Sequence, residues 1–412
     1  MNRGILQRLV DTHITALFPG ISIREDTGNP HQHKPAVFSK GQSEIRIREI
    51  DGMSFYISRA QPFNSQELKI VHDIVAIADE YSGLSLDTQT YLSAGSLGRM
   101  VARSLTTSAE DTQYQTLISL IIETLEKWSA QTYEGSRIAT SLGVNPDAGG
   151  DRNDFDAFVR EDFSRVLSNG YDTLIEFNSR GELIGHESLE SINDTKETPF
   201  RYAAFSAYTN STDRLAFVLN RNGEILVFRK GSLFFAKRRG DWRLFTHDSL
   251  LKQLAFGNRI ASQSLQEAVY ASALDVSFAR CGGCIGVVHK SKLSAFLNDS
   301  ILKDGDKLAS ADNPKVLALR KSVASKTFQE IDRRIRQEIL GIDGATVLDH
   351  EGKILAAGAI LNISQKETLS AGGGARLAAA RVLGKYGYAV KVSADGEIRA
   401  IGKKGEAEFR YG

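Results

Sequence analysis

Four blocks of this sequence recur, in the same order, about one domain-length further along the chain. The first set is Thr173-Leu174-Ile175-Glu176-Phe177, the turn and strand Arg180-Gly181-Glu182-Leu183-Ile184, Arg201-Tyr202-Ala203-Ala204-Phe205, and Asn222-Gly223-Glu224-Ile225 with Lys230-Gly231. The second is Thr346-Val347-Leu348, Glu351-Gly352-Lys353-Ile354-Leu355, Arg376-Leu377-Ala378-Ala379-Ala380, and Asp395-Gly396-Glu397-Ile398 with Lys404-Gly405. The offset stays between 171 and 175 residues. Such constancy across separate blocks points to a duplicated domain. In each copy strand-like runs alternate with helical ones, so each copy is expected to be an α/β domain with a mixed sheet and helices packed on it. Copy one is read as residues 105–245 and copy two as 250–412.

Helical periodicity supports the same division. Tyr114, Leu117, Ile118, Ile121, Ile122, Leu125 and Trp128 keep helical spacing, and Leu265–Ala273 is the matching stretch downstream. Phe155–Leu167 predicts a helix with Phe155, Phe158, Val159, Phe163 and Val166 on one side; Phe328, Ile331, Ile335 and Ile339 are its counterpart. Ahead of the duplication, residues 1–85 predict a small α/β module. Ile45, Ile47 and Ile50, then Phe55 and Ile57, suggest two strands about the Asp51-Gly52 turn. Asn64 with Glu67 three residues on is a capping box for a helix whose apolar face is Leu68, Val71, Ile74, Val75 and Ala78. Residues 86–104 are read as a polar connector, with a short helix around Leu97–Leu105.

Composition limits the function classes. With 51 Lys+Arg against 50 Asp+Glu, the net charge of +1 gives no global field for nucleic acid or a membrane. The N-terminus has no signal-peptide apolar core and no segment approaches the roughly 18 apolar residues of a membrane helix, so a cytoplasmic protein is expected. The basic segment Arg229-Lys230, Lys237-Arg238-Arg239 and Arg243 is interleaved with Phe234, Phe235 and Trp242. That mixture suits single-stranded nucleic acid, but its alternation also suits a hairpin with one wet face, which is the favoured reading. Cys281 and Cys284 frame Gly282-Gly283 and are read as small residues at a strand entrance rather than a redox pair or half a zinc site. His31 and His33 are read as loop histidines.

The chemistry-bearing stretch runs from Gly341 to Lys404. A strand start delivers the carboxylate of Asp343, followed by Gly344 and Ala345; further on, Gly372-Gly373-Gly374 leads through Ala375-Arg376 into an Ala-rich helix. Consecutive glycines let backbone N–H groups converge, and a helix start adds unpaired donors and the positive end of its dipole. A carboxylate for a metal beside donors for phosphate suggests a nucleotide. For Asp343 the residues alone leave two readings, a metal ligand or an Asx-type turn; for Arg376 they leave a phosphate contact or a salt bridge serving the fold. Copy one carries Asp172-Thr173 and Pro199-Phe200 at the matching places, which removes a donor and adds bulk before Arg201. Copy two is therefore the candidate site.

Asp343-Gly344-Ala345, Gly374-Ala375-Arg376-Leu377-Ala378-Ala379, Ala389-Val390-Lys391-Val392 and Gly396-Glu397-Ile398 together resemble the diadenylate cyclase domain, over roughly residues 255–405. The family's signatures are Asp-Gly-Ala, kept whole here, and Gly-Thr-Arg-His-Arg-Ala-Ala, of which Gly374, Arg376 and the trailing alanines are kept. A second, shorter resemblance links the strand and helix around Gln61–Leu68 to GAF-type sensor domains. The first resemblance implies condensation of two ATP molecules into cyclic di-AMP with Mn2+ or Mg2+. It puts Asp343, Gly344 and Ala345 at the catalytic site, Asp343 on the metal, and Gly373, Gly374 and Arg376 near phosphate. It also implies a homo-oligomer through copy two, since each ATP-loaded domain attacks the nucleotide of another. The substitutions at Ala375, Leu377 and Ala378 keep a second expectation open: a signalling module that binds ATP or an adenine dinucleotide without turnover.

Overall fold

A computed structural model describes residues 14–18, 20–25, 37–39, 43–50, 53–59, 61–82, 97–106, 112–150, 154–190, 195–210, 212–254, 261–310, 312–323, 325–363, 374–402 and 407–411. The chain divides into two compact units, one formed by Met1–Asn193 with Tyr202–Thr246 and the other by Asp194–Arg201 with His247–Gly412.

In unit 1 a short helical turn over Thr15–Leu17 precedes β1 (Ser22–Glu25), β2 (Val37–Ser39), β3 (Glu44–Ile50) and β4 (Met53–Ser58), which pair antiparallel in the order β1-β4-β3-β2. Ile45 and Ile47 on β3 and Phe55 and Ile57 on β4 are buried, as their alternation requires. The Asp51-Gly52 turn, His31 and His33 lie outside the described residues. Helix α1 (Ser65–Ser82) starts with the expected capping box: Asn64 Oδ1 accepts from Glu67 N at 2.8 Å and Glu67 Oε2 accepts from Asn64 N at 2.9 Å. The same buried carboxylate pairs with Arg59 and accepts from Thr246 Oγ1 at 3.0 Å, while Arg59 donates to the carbonyls of Gln61 and Pro62, both at 2.9 Å. Residues 97–105 are helical, and Met100, Val101 and Leu105 share one hydrophobic core with the N-terminal strands.

The remainder of unit 1 comprises α2 (Thr112–Ser129), the hairpin β5 (Thr132–Tyr133) and β6 (Ser136–Arg137), β7 (Thr140–Val144), α3 (Phe155–Arg160), β8 (Thr173–Phe177), β9 (Leu183–Ser188), α4 (Ala203–Thr209), β10 (Leu215–Leu219), β11 (Ile225–Arg229), β12 (Ser232–Arg238) and β13 (Asp241–Leu244). Its main sheet has the order β13-β12-β11-β10-β7-β8-β9, with β7 and β8 parallel and the other neighbours antiparallel. The apolar stripe read on α2 is buried at all seven positions. The helix expected over Phe155–Leu167 instead breaks at Glu161, which is extended (φ −77°, ψ 131°), and resumes as a 3-10 turn over Asp162–Arg165. The break resets the rotational phase, so Phe155 and Phe158 are buried while Phe163 and Val166 face outward. The basic–aromatic segment runs from the end of β11 through the β12–β13 hairpin. Phe234, Phe235 and Trp242 are in the core, Arg238 makes a buried ion pair with Glu224 at 2.6 Å, and Lys237 pairs with Glu126 at 2.6 Å, so these aromatic rings are committed to packing.

Unit 2 contains α5 (His247–Leu254), α6 (Gln263–Ala279), β14 (Gly283–Val288), α7 (Leu293–Asn298), α8 (Pro314–Val323), α9 (Arg333–Gly341), β15 (Ala345–Leu348), β16 (Ile354–Ala359), α10 (Gly374–Tyr386), β17 (Gly387–Val392), β18 (Ile398–Ile401) and β19 (Ala407–Tyr411). The sheet order β16-β15-β14-β17-β18-β19, with β14 and β15 parallel, repeats that of β9-β8-β7-β10-β11-β12. The chain is thus α/β, built on two mixed sheets of one topology. Before α9 the chain makes a 3-10 turn over Phe328–Glu330 and is extended at Ile331; Phe328, Ile331 and Ile339 are buried, and Ile335 is not.

Strand pairing refines the correspondence of the copies. Gly143 lies opposite Glu176 in one parallel pair and Gly286 opposite Val347 in the other. After each pair a side-chain oxygen closes the same turn: Asn178 Oδ1 accepts from the N–H groups of Arg180 (2.9 Å) and Glu182 (3.0 Å), and Asp349 Oδ1 from those of Glu351 and Lys353 (both 2.9 Å). Asp172-Thr173-Leu174 therefore matches Asp343-Gly344-Ala345, and the sequence pairing of Thr173 with Thr346 is two residues out of register.

Residues 195–201 belong to unit 2 through a buried ion pair. Arg333 meets Asp275 through two contacts (2.7 and 2.8 Å) and donates to the carbonyls of Thr195 (2.8 Å) and Thr198 (2.7 Å); Asp275 also accepts from Phe200 N at 2.7 Å. Among the described residues no helix is long and apolar enough to cross a membrane.

Trp128 and Trp242 are the chain's two tryptophans and both lie in unit 1, so their fluorescence follows that unit alone. Glu67→Ala strands the buried Arg59 charge and removes the α1 cap; it is expected to lower the stability read by tryptophan emission in urea by about 3–5 kcal/mol, and Glu67→Gln by less.

Candidate functional site

Asp343 stands between the end of α9 and the start of β15, with its side chain 93% exposed. Gly344, next to it, has φ +109°, and a Cβ there would lie 2.6 Å from the carbonyl carbon of Gly358 and 2.8 Å from the carbonyl oxygen of Ala359. Both atoms are backbone of the neighbouring strand β16, so the position admits only glycine. Ala345 is fully buried and pairs with Ala359. The three residues divide the work: a fixed buried anchor, a tight backbone approach, and a carboxylate held out in solvent.

That carboxylate is not the oxygen of an Asx turn. Its partner among the described residues is Arg376, whose Nη2 lies 3.2 Å from Asp343 Oδ1. Arg376 projects from the first turn of α10, which Gly374 opens; Gly372 and Gly373 lie outside the described residues. Its side chain is 30% exposed, and its Nε is buried with no hydrogen-bond partner. Leu377 and Ala378, the next two residues, are buried in the core of unit 2 and offer nothing to a ligand.

Sheet pairing adds cations that the sequence reading did not single out. Cys284, Lys391, Arg399 and Arg410 are opposite one another in turn across β14, β17, β18 and β19. The Lys391 ammonium is held below its ordinary pKa by burial first and by Arg399 next, with Arg376 adding to the effect against the opposing pull of Glu397 and Asp395. Lys391 bonds to Ser393 Oγ, and Arg399 pairs with Glu397 at 2.7 Å while its Nε stays buried without a partner. Arg376, Lys391 and Arg399 thus form a partly buried positive row that ends at the Asp343 carboxylate. Only the alternation of Lys391, Ser393, Glu397 and Arg399 about a turn hinted at this, because the row exists only once β17 and β18 are paired and α10 is packed on the sheet. In unit 1 the matched carboxylate, Asp172, is tied instead to Asn169 Nδ2 at 2.6 Å.

Cys281 is exposed and Cys284 buried, and they are not bonded to each other. Burial pushes the Cys284 thiol up to about 12. No group of three or more His, Cys, Asp or Glu residues among those described is placed to hold a metal ion by protein ligands alone.

No protein-family model matches the chain. No curated protein matches it in sequence. Among solved structures it is similar to the crystal structure of a double mutant of DacA from Staphylococcus aureus, at 19% identity over 35% of this chain and 84% of that one, with a TM-score of 0.24.

Two outcomes test the local geometry. Gly344→Ala is expected to destabilise unit 2 by about 2 kcal/mol or more through strain and backbone collision, whereas Asp343→Asn, on an exposed side chain, changes stability by less than about 0.5 kcal/mol; thermal melts of the two variants followed by far-UV circular dichroism separate them. In the native protein at neutral pH, iodoacetamide is expected to label Cys281 and spare Cys284 until denaturant is added, as peptide mass mapping reads directly.

Proposed function

We propose that unit 2 is a nucleotide-binding signalling module that takes ATP or an adenine dinucleotide together with Mn2+ or Mg2+. The observation that carries this reading is the Asp343–Arg376 corner, an exposed carboxylate facing a helix-start guanidinium whose Nε has no partner, continued by Lys391 and Arg399. Guanidinium groups and helix starts suit phosphate oxygens. A single carboxylate suits a divalent cation whose remaining ligands are phosphate and water, which is how Mg2+ is commonly held beside nucleotides. The cation's contribution when bound would be to neutralise phosphate charge. The protein's own residues do the rest: Arg376 turns from Asp343 towards phosphate, Lys391 and Arg399 supply the field, and Gly344 keeps the carboxylate where it is. The preference for adenine rests on the resemblance of the Asp343-Gly344-Ala345 and Gly374-to-Ala380 segments to diadenylate cyclases.

Burial of Leu377 and Ala378 supports binding without turnover, because two positions that carry phosphate ligands in that family are here part of the core. The second reading, condensation of two ATP into cyclic di-AMP by copies of unit 2 brought together in a homo-oligomer, is favoured by the fully presented Asp343.

Titration calorimetry of the whole chain with ATP and Mg2+ or Mn2+ is the test. Arg376→Ala and Lys391→Ala are each expected to weaken ATP about tenfold, and Asp343→Asn to remove only the metal-dependent part. The charge of Lys391, lost at lower pH than that of a free lysine, makes affinity fall as pH rises below the ordinary lysine pKa of about 10.4; Lys391→Arg abolishes that fall. Mass analysis of the same mixtures decides between the readings: cyclic di-AMP absent from the Asp343→Asn sample establishes turnover, and binding without product establishes a sensor. No binding at about millimolar ATP would overturn both.

A further inference from the structure

The duplication provides an internal control at one position of the fold. In unit 2 the parallel strands β14 and β15 put Gly286 opposite Val347, and α10 lies so close over the glycine that a Cβ there would meet Leu383 at 2.8 Å. Val347 and Leu383 both belong to the apolar core. In unit 1 the equivalent strands put Gly143 opposite Glu176, and the atom of α4 lying over the glycine, 2.8 Å from where its Cβ would be, is the hydroxyl of Tyr208. A carboxylate and a phenol have replaced two aliphatic side chains in the same place.

Both groups are buried. Glu176 is 5% exposed, and among the described residues its carboxylate has one donor, Tyr208 Oη at 2.5 Å. The Tyr208 hydroxyl is held strongly protonated, first by burial and then by Glu176, so it serves as a fixed donor. Both side chains line a cavity of about 440 Å³ with Glu187, Glu190, Arg214 and Thr212. Glu187 pairs with Leu174, two residues before Glu176, which places the two carboxylates on one face of the sheet. Arg214 is 5.1 Å from the Tyr208 ring and faces the side-chain amide of Asn145, whose oxygen, once the amide is turned towards it, accepts from Arg214 Nη2 at 3.1 Å and Nε at 3.2 Å; among the described residues no carboxylate pairs with it.

We propose that this cavity is a binding site for a small basic amino acid, its ammonium groups on Glu176 and Glu187 and its carboxylate on Arg214. Tyr208 occupies one oxygen of the Glu176 carboxylate, and the residue lines the cavity, so it can accept a further hydrogen bond from a ligand there. The volume falls in the range of small-molecule pockets. Three carboxylates against one guanidinium favour a ligand of net positive charge, and a guanidinium with no carboxylate partner in the same cavity suits an anionic end. The site lies within unit 1 and does not depend on nucleotide binding by unit 2.

The test is titration calorimetry of the full chain with L-lysine, L-arginine, putrescine and L-glutamate, with tryptophan emission in urea confirming that unit 1 of each variant is folded. L-lysine or L-arginine is expected to bind at about millimolar or tighter, with putrescine and L-glutamate at least about tenfold weaker. Glu176→Gln and Arg214→Ala are each expected to weaken the basic amino acid about tenfold. If Glu176→Gln does not fold, Glu187→Gln, at the more open edge, is expected to give the same direction of change. Putrescine binding as well as L-lysine would overturn the role of Arg214, and no binding of either basic amino acid at about 10 mM would overturn the site.

Discussion

The close approach of a helix to a glycine on the central strand governs both copies of the fold. Gly143 and Gly286 leave no Cβ between strand and helix, so α4 and α10 settle against their sheets at the strand that also makes the parallel pairing. In unit 2 this seats α10 with its first turn beside the start of β15, which is why Arg376 reaches Asp343 across 33 positions of sequence. In unit 1 the same seat brings the Tyr208 hydroxyl onto Glu176. One packing constraint thus sets the geometry of two chemically unlike places, and the side chain that lies over the glycine decides which chemistry each can carry.

Much of this was legible in the residues. The α2 stripe, the Asn64–Glu67 capping box and the turns of the repeat are local patterns with local causes, and they appear where periodicity and capping rules put them. The failures also have local causes. Matching Thr173 to Thr346 by identity was two residues off, because register is fixed by the glycine of the neighbouring strand and by the side-chain oxygen that closes the following turn. The continuous helix over Phe155–Leu167 failed at one extended residue, Glu161, which no hydrophobic period reveals. At the candidate site the sequence supplied Asp343, Gly344 and Arg376 but not the cationic row, since Lys391 and Arg399 become neighbours only through β-pairing. Glu176 and Tyr208, 32 residues apart, were invisible for the same reason.

The copies differ in polarity beside the glycine: both keep an exposed carboxylate at the strand start, Asp343 and Asp172, but unit 2 has an apolar contact around Gly286 where unit 1 buries a carboxylate beside Gly143. A duplicated scaffold tolerates such exchange because strand order and turn closure, which do not depend on these side chains, hold the fold.

The chain's route between its units sets how it can be taken apart. Unit 1 is interrupted after residue 193 and resumes at Tyr202, and the residues in between are held by Arg333 and Asp275 in unit 2. The polypeptide passes from one unit to the other three times, so no single cut yields two whole domains. A fragment beginning near residue 250 would carry the Arg333 guanidinium without the Thr195 and Thr198 carbonyls that satisfy it, leaving a buried charge short of acceptors. Inheritance of the two halves is therefore joint: a gene split or recombined at the apparent boundary would separate residues that one of the folds requires.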